Sequence, residues 1–146
     1  MSRKYANDDA NLNTGSLFTA RNRDYVDVNM LFEANPNTGD VYKVKDANSV
    51  KQSVKNIVLT NFHERPFNPF LGGNVRALLF ENITPFSITE AKNTLVEAIT
   101  RSEPRAAVTS INISENAANS LVVNIVFRVK ETQQVEEINI SLERLR

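Results

Sequence analysis

From Ala106 onward the apolar residues recur at every second position, and this constrains the fold more than any other feature of the chain. Thr109, Ile111 and Ile113 alternate with polar Asn112 and Ser114, and Ile138, Ile140 and Leu142 alternate with Asn139, Ser141 and Glu143. A period of two puts alternate side chains on opposite faces of a strand. Between these segments Val123, Ile125, Phe127 and Val129 share one face, and Val122 and Val126 lie on the other. A strand that is apolar on both faces suits the middle of a sheet. Turns at Glu115 to Ser120 and at Glu131 to Gln134 separate the three segments. The pattern predicts antiparallel strands at Ala106–Glu115, Ser120–Lys130 and Val135–Leu145.

Before Ala106 the period lengthens. Val50, Val54, Ile57 and Val58 fall at i, i+4, i+7 and i+8, which predicts a helix over Asp46–Leu59, capped by Asn48 or Ser49. Val75, Leu78 and Leu79 predict a short helix over Asn74–Phe80. Ile88, Ala91, Leu95, Ala98 and Ile99 predict a third over Ser87–Arg101. It is opened by Thr84-Pro85 or by a Ser87–Glu90 capping box and ended by Pro104. Upstream, Tyr25–Phe32 and Val41–Val44 flank the turn-rich Asn35-Pro36-Asn37-Thr38-Gly39-Asp40 and predict a hairpin whose first strand has one buried face. The fold class is therefore α+β: a small single domain over residues 16–146, with about three helices on a mainly antiparallel C-terminal sheet and an N-terminal hairpin. Residues 1–15 are polar and Asn-rich. They read as a flexible arm, or as one that orders on a neighbouring subunit.

Composition removes whole classes of function. The chain has 146 residues, no Cys, one His, and 17 basic against 17 acidic residues. A chain of this size buries about 68–70% of its unfolded surface and needs no disulfide or metal to hold it. Without Cys, and with His63 as the single histidine, thiolate zinc sites are excluded and a transition-metal site would rest on carboxylates. Neither half carries the basic excess expected of a nucleic-acid binder. No apolar run approaches the roughly 18 residues of a membrane span. A Ser-His-Asp triad would have to pass through His63, and neither a nucleophile elbow nor a Gly-rich phosphate loop is present. No cofactor, metal, nucleic acid or membrane partner is expected.

The middle of the chain is unusually rigid for a connection. In Leu59–Glu81, Pro66 and Pro69 fix φ, and Gly72-Gly73 permits a sharp turn before the short helix. Glu64 and Arg65 stand between these limits. A loop held this stiffly has a structural or a binding role. A second charged motif, Glu103-Pro104-Arg105, follows the third helix. From chemistry alone it reads as a helix stop with solvated charges, or as a rigid turn that presents opposite charges to a partner.

The run Leu-Thr-x-x-x-Glu-Arg-Pro-Phe-x-Pro, followed by Gly, Leu-Leu-Phe-Glu and then Glu103-Pro104-Arg105, resembles the small baseplate wedge proteins of contractile phage tails. These are the sheath initiators, with a counterpart in the type VI secretion baseplate, and the family has at times been labelled lysozyme-like. The resemblance covers roughly residues 24–130. One departure is His63, where the family has Gly before Glu-Arg-Pro; a positive φ there would suit Gly better. The resemblance implies a structural virion protein of the tail baseplate that is assembled in the host cytoplasm and has no enzymatic activity. Its implied partners are the baseplate wedge subunits and the tail sheath protein, with the tail tube as a further candidate. Glu103, Pro104 and Arg105 would grip the wedge core together with Glu64, Arg65 and Pro66, and Glu64 is expected to pair with Arg105 and Arg65 with Glu103. Ile138, Asn139, Ile140, Ser141 and Leu142 would exchange strands with the first sheath ring. Two rival readings stand beside this one. A generic β-augmentation adaptor fits the last strand. A peptidoglycan hydrolase would need two carboxyls among Glu64, Glu81 and Glu103. Two of these lie near arginines, which oppose the raised pKa of a general acid, and the chain has no Trp to stack a sugar.

Overall fold

The computed structural model describes residues 25–117 and 120–144. The order is β1 (Val26–Val28), β2 (Lys43–Lys45), α1 (Asp46–Leu59), a 3₁₀ helix (Val75–Phe80), α2 (Pro85–Ser102), β3 (Ala106–Ala117), β4 (Ser120–Val129) and β5 (Val135–Glu143). The expected α+β architecture, with its N-terminal hairpin and C-terminal antiparallel sheet, is what the chain adopts. The arm expected over residues 1–15 and the end of the last strand at Leu145 lie outside the described residues.

β3, β4 and β5 form one antiparallel sheet with β4 in the middle. Leu121, Val123, Ile125, Phe127 and Val129 are all buried on its core face, joined by Ile113 from β3 and by Ile138, Ile140 and Leu142 from β5. α1 packs against β5 and α2 against β3, so the helices cover this one face. The opposite face is mostly polar, with half-buried Val122 and Val126, Ala107 and exposed Val135 as its apolar residues. Asn112, Asn124 and Asn139 stand in one row across it, and the Asn124 amide donates to Asn139 Oδ1 at 2.7 Å. Two-sided apolarity thus marked the central strand, although only one face meets a second layer. β3 departs from strict alternation at Thr109, where the register slips between Val108 and Ser110. The extra residue of this bulge is Thr109, which is exposed, and Val108 packs against the core instead.

Three other expectations change in detail. β1 is three residues long and has no buried face: Val26 and Val28 stay about half exposed, and it is Asp27 between them that bonds Ser49 of α1. α1 has no side-chain cap. β2 runs straight into it, Asp46 N–H donates to the Tyr25 carbonyl at 2.7 Å, and the hairpin rather than Asn48 or Ser49 sets the start. The capping box of α2 is built by Thr84 and Ser87, each side chain accepting the other's backbone N–H, with Pro85 in the first turn, and Glu90 takes no part. The short helix is 3₁₀ and springs from Asn74 in the left-handed region (φ 50°), a conformation Asn tolerates.

Candidate protein interface

The two charged motifs occupy different environments. Glu103 closes α2: its N–H donates to the Ile99 carbonyl at 2.7 Å, and Pro104 prevents another turn. Its carboxylate is turned inward, and the residue is only 3% exposed. Arg105 follows it in a tight turn and returns its guanidinium to the same carboxylate. Nε donates to Oε1 at 2.5 Å and Nη2 to Oε2 at 2.7 Å, a two-pronged contact. The guanidinium also lies 4.6 Å over the Tyr25 ring and 4.0 Å from Asp27 Oδ2. Asp27 in turn accepts a hydrogen bond from the buried Ser49 hydroxyl of α1. Tyr25 reaches the β4–β5 turn through a hydrogen bond with Glu131, the first cause of a phenol pKa raised above 10.0. Arg105 therefore fastens the hairpin, α1 and the end of α2 to one another.

Burial alone would push the Glu103 carboxyl upward. The hydrogen bonds from Arg105 and Ser53, and the Arg105 charge, outweigh burial and hold it below its ordinary 4.5. A guanidinium has five N–H donors, and two of them point at Glu103. The rest of the guanidinium meets the Tyr25 ring and Asp27, and the side chain keeps 26% exposure beside exposed Pro104.

The Glu64-Arg65-Pro66 loop does not join this cluster. The expected cross-pairing of Glu64 with Arg105 and of Arg65 with Glu103 does not form, because Arg105 closes on Glu103 itself, two residues away. Glu64 instead folds back on Asn61. The Asn61 backbone N–H donates to Oε2 at 2.9 Å and its side-chain amide to Oε1 at 2.6 Å. These two hydrogen bonds, and more weakly the Arg76 charge, hold the exposed Glu64 carboxyl below 4.5. The loop is pinned further by the His63 N–H on the Pro69 carbonyl (2.7 Å) and by Arg101 Nη2 on the Phe70 carbonyl (2.6 Å). His63 has φ 66°, the left-handed conformation for which Gly is better suited. Gly72 and Gly73 dock the end of the loop onto the helices. A Cβ on Gly72 would strike the Thr60 carbonyl, and one on Gly73 would strike Leu95. Sequence reasoning missed Tyr25, Asp27 and Asn61. Tyr25 was visible only as an aromatic residue in a hairpin, and an Asn three residues before a Glu is too common a pattern to single out.

The remaining candidates lie in β5. Ile138, Ile140 and Leu142 are buried in the core, while Asn139 and Ser141 are exposed on the open face. Among the described residues β5 pairs with β4 alone, so no strand lies along its other edge. What β5 can offer is therefore its backbone edge rather than its apolar side chains. No group of three or more His, Asp or Glu side chains suited to a metal ion occurs among the described residues.

A family model described as baseplate wedge protein gp25 matches residues 44–134. The baseplate wedge protein gp25 of Enterobacteria phage T4 is 30% identical over 105 residues, which cover 70% of this chain and 80% of that protein. Two solved structures share the fold. A proposed tail lysozyme from Geobacter sulfurreducens gives a TM-score of 0.58 at 23% identity, covering 66% of this chain and 89% of that one. A chain of the anti-feeding prophage baseplate gives 0.58 at 22% identity, covering 82% and 86%.

Proposed function

The chain belongs to the baseplate wedge protein gp25 family, and from that premise we propose that it is a non-enzymatic subunit of a contractile-tail baseplate that binds wedge subunits and starts the first ring of the sheath. The structural baseplate role follows from the family. The finer assignment is ours: Pro104 and the outward face of Arg105 meet the wedge core, Glu64, Arg65 and Pro66 extend that contact, and β5 adds a strand to an arm of the sheath protein. Assembly would take place in the host cytoplasm, before the protein becomes part of the virion tail.

The observation that carries the sheath role is the open edge of β5. Its residues alternate cleanly, it contains no Pro, and one row of its N–H and C=O groups has no partner strand among the described residues. Edge strands are usually blunted by charge or Pro; β5 carries Glu136, Glu137 and Glu143 but no Pro, and an edge kept open in this way accepts an extended segment by main-chain hydrogen bonds. Asn139→Pro removes one backbone donor from β5, and Asn139→Lys adds an edge charge while keeping it. With both proteins folded by circular dichroism, baseplates are expected to assemble and sheath polymerisation to fail. Sheaths of normal length nucleated by folded Asn139→Pro protein would remove β5 as the template.

A further inference from the structure

The loop between α1 and the 3₁₀ helix carries an aromatic ring that the fold itself does not use. Phe67 is 106% exposed, more than in an extended chain, and Phe70 beside it is 62% exposed. Phe67 also has φ 69°, a left-handed conformation that bulky side chains rarely adopt. The loop is not loose. His63 bonds Pro69, Arg101 bonds Phe70, Asn68 N–H donates to the Arg65 carbonyl at 3.4 Å, and both Glu64 oxygens are engaged by Asn61. The backbone is strained, and the ring it displays is left in water. Neither feature benefits the isolated molecule, and strain that persists under such pinning is a mark of functional sites.

The charges around the ring indicate what it meets. The one carboxylate of the loop, Glu64, is exposed, but both its oxygens are taken by Asn61. Arg65, two residues from Phe67, has an exposed guanidinium with no carboxylate partner among the described residues. Arg76 lies near enough to Glu64 to lower its pKa, and Arg101 bonds the Phe70 carbonyl while its carboxylate contact to Glu97 is 3.9 Å long. An aromatic knob with an adjacent free arginine fits an apolar socket with an acidic rim, and a knob held in place beforehand loses little freedom on binding.

We propose that Phe67, supported by Phe70, is a preformed knob that inserts into an apolar socket, rimmed by carboxylates, on a neighbouring protein of the baseplate. The knob deepens the contact proposed for Glu64, Arg65 and Pro66, and this loop shares no ion pair or hydrogen bond with the Glu103-Pro104-Arg105 cluster among the described residues. The proposal rests on the baseplate role for its partner and its choice of probe.

The probe is a tail-assembly intermediate purified from cells lacking this subunit, titrated with labelled full-length chain. Phe67→Ala should melt no lower than the wild type, because the ring touches nothing, yet bind about thirty-fold more weakly, the loss typical of an interface anchor. Phe67→Tyr should keep most of the affinity. Arg65→Glu should weaken binding, and the wild-type affinity should fall as salt rises. Arg105→Lys is titrated in parallel, so that loss at one patch alone distinguishes the knob from the charged motif. Three results would each overturn the proposal: undiminished binding by Phe67→Ala, affinity indifferent to both Arg65→Glu and salt, or Phe67-dependent self-association of the free chain in sedimentation velocity.

Discussion

Replacing Arg105 by Ala isolates the contact on which the hairpin, α1 and α2 converge. It leaves the Glu103 carboxylate, 3% exposed, without its two-pronged partner. Removing one member of a buried ion pair costs ~3–5 kcal/mol. Here Ser53 still donates to Glu103, and Arg105 itself is a quarter exposed. The expected loss is therefore lower, roughly 2–4 kcal/mol, a fall in melting temperature of roughly 5–15 °C for a chain of this length. The pH dependence gives a sharper test. In the wild type the folded Glu103 pKa lies below its ordinary 4.5. Its contribution is thus complete above 4.5 and is lost as pH falls through the lower folded value. Without Arg105 burial dominates and the folded pKa rises above 4.5. The folded variant then holds the proton more tightly than the unfolded chain, so it gains stability as pH drops from 7 towards 4.5. The wild-type contribution of Glu103 is flat across that window, so the variant acquires a pH slope there that the wild type lacks. Urea titrations at several pH values read it directly. A Glu103→Met/Arg105→Met double variant should recover to within about 1 kcal/mol of the wild type, since a buried ion pair is often replaceable by apolar groups. If the double variant folds normally but no longer binds wedge subunits, the pair has an interface role beyond its structural one. Arg105→Ala melting within about 1–2 °C of the wild type, with no pH slope gained between about 7 and 4.5, would refute the reasoning.

Three further outcomes are expected. His63→Gly relieves a left-handed backbone at about 1–2 kcal/mol while adding about 0.5–1 kcal/mol of unfolded-chain entropy, so it should stabilise by roughly 0.5 kcal/mol in urea titration, whereas His63→Val should destabilise. Gly72→Ala should cost more than about 2 kcal/mol in the same assay, because φ 119° is unsuited to a Cβ and that Cβ would strike the Thr60 carbonyl, which is backbone and cannot turn aside. Purified protein should show no cleavage of peptidoglycan in zymography. Glu64 and Glu103 are both held below 4.5 and so are ionised at neutral pH, the wrong state for a general acid. Turnover that disappears in Glu64→Gln or Glu103→Gln would reverse that assignment.

Periodicity in the sequence determined most of the architecture. Val123 to Val129 specified a strand, because period two admits no helix, and its apolar residues on both faces pointed to the middle position it takes between β3 and β5. Helix ends governed by Pro and by local side-chain hydroxyls were legible to within a few residues, as at Thr84-Pro85 and Pro104. The resemblance marked His63 as standing where the family has Gly, and the structure gives it a positive φ. Charge partners were a different matter. Glu64 and Arg65 seemed complementary to Arg105 and Glu103, yet the tight turn at Pro104 let Arg105 reach Glu103 first, and Asn61 lay closer to Glu64 than any arginine. A side chain pairs with whatever the finished fold brings within about 3 Å, and sequence separation does not encode that distance. The bare face of β1, the start of α1 and the outward set of Phe67 were likewise decided by which layers meet. Burial is a property of packed elements, so only the tertiary structure determines it.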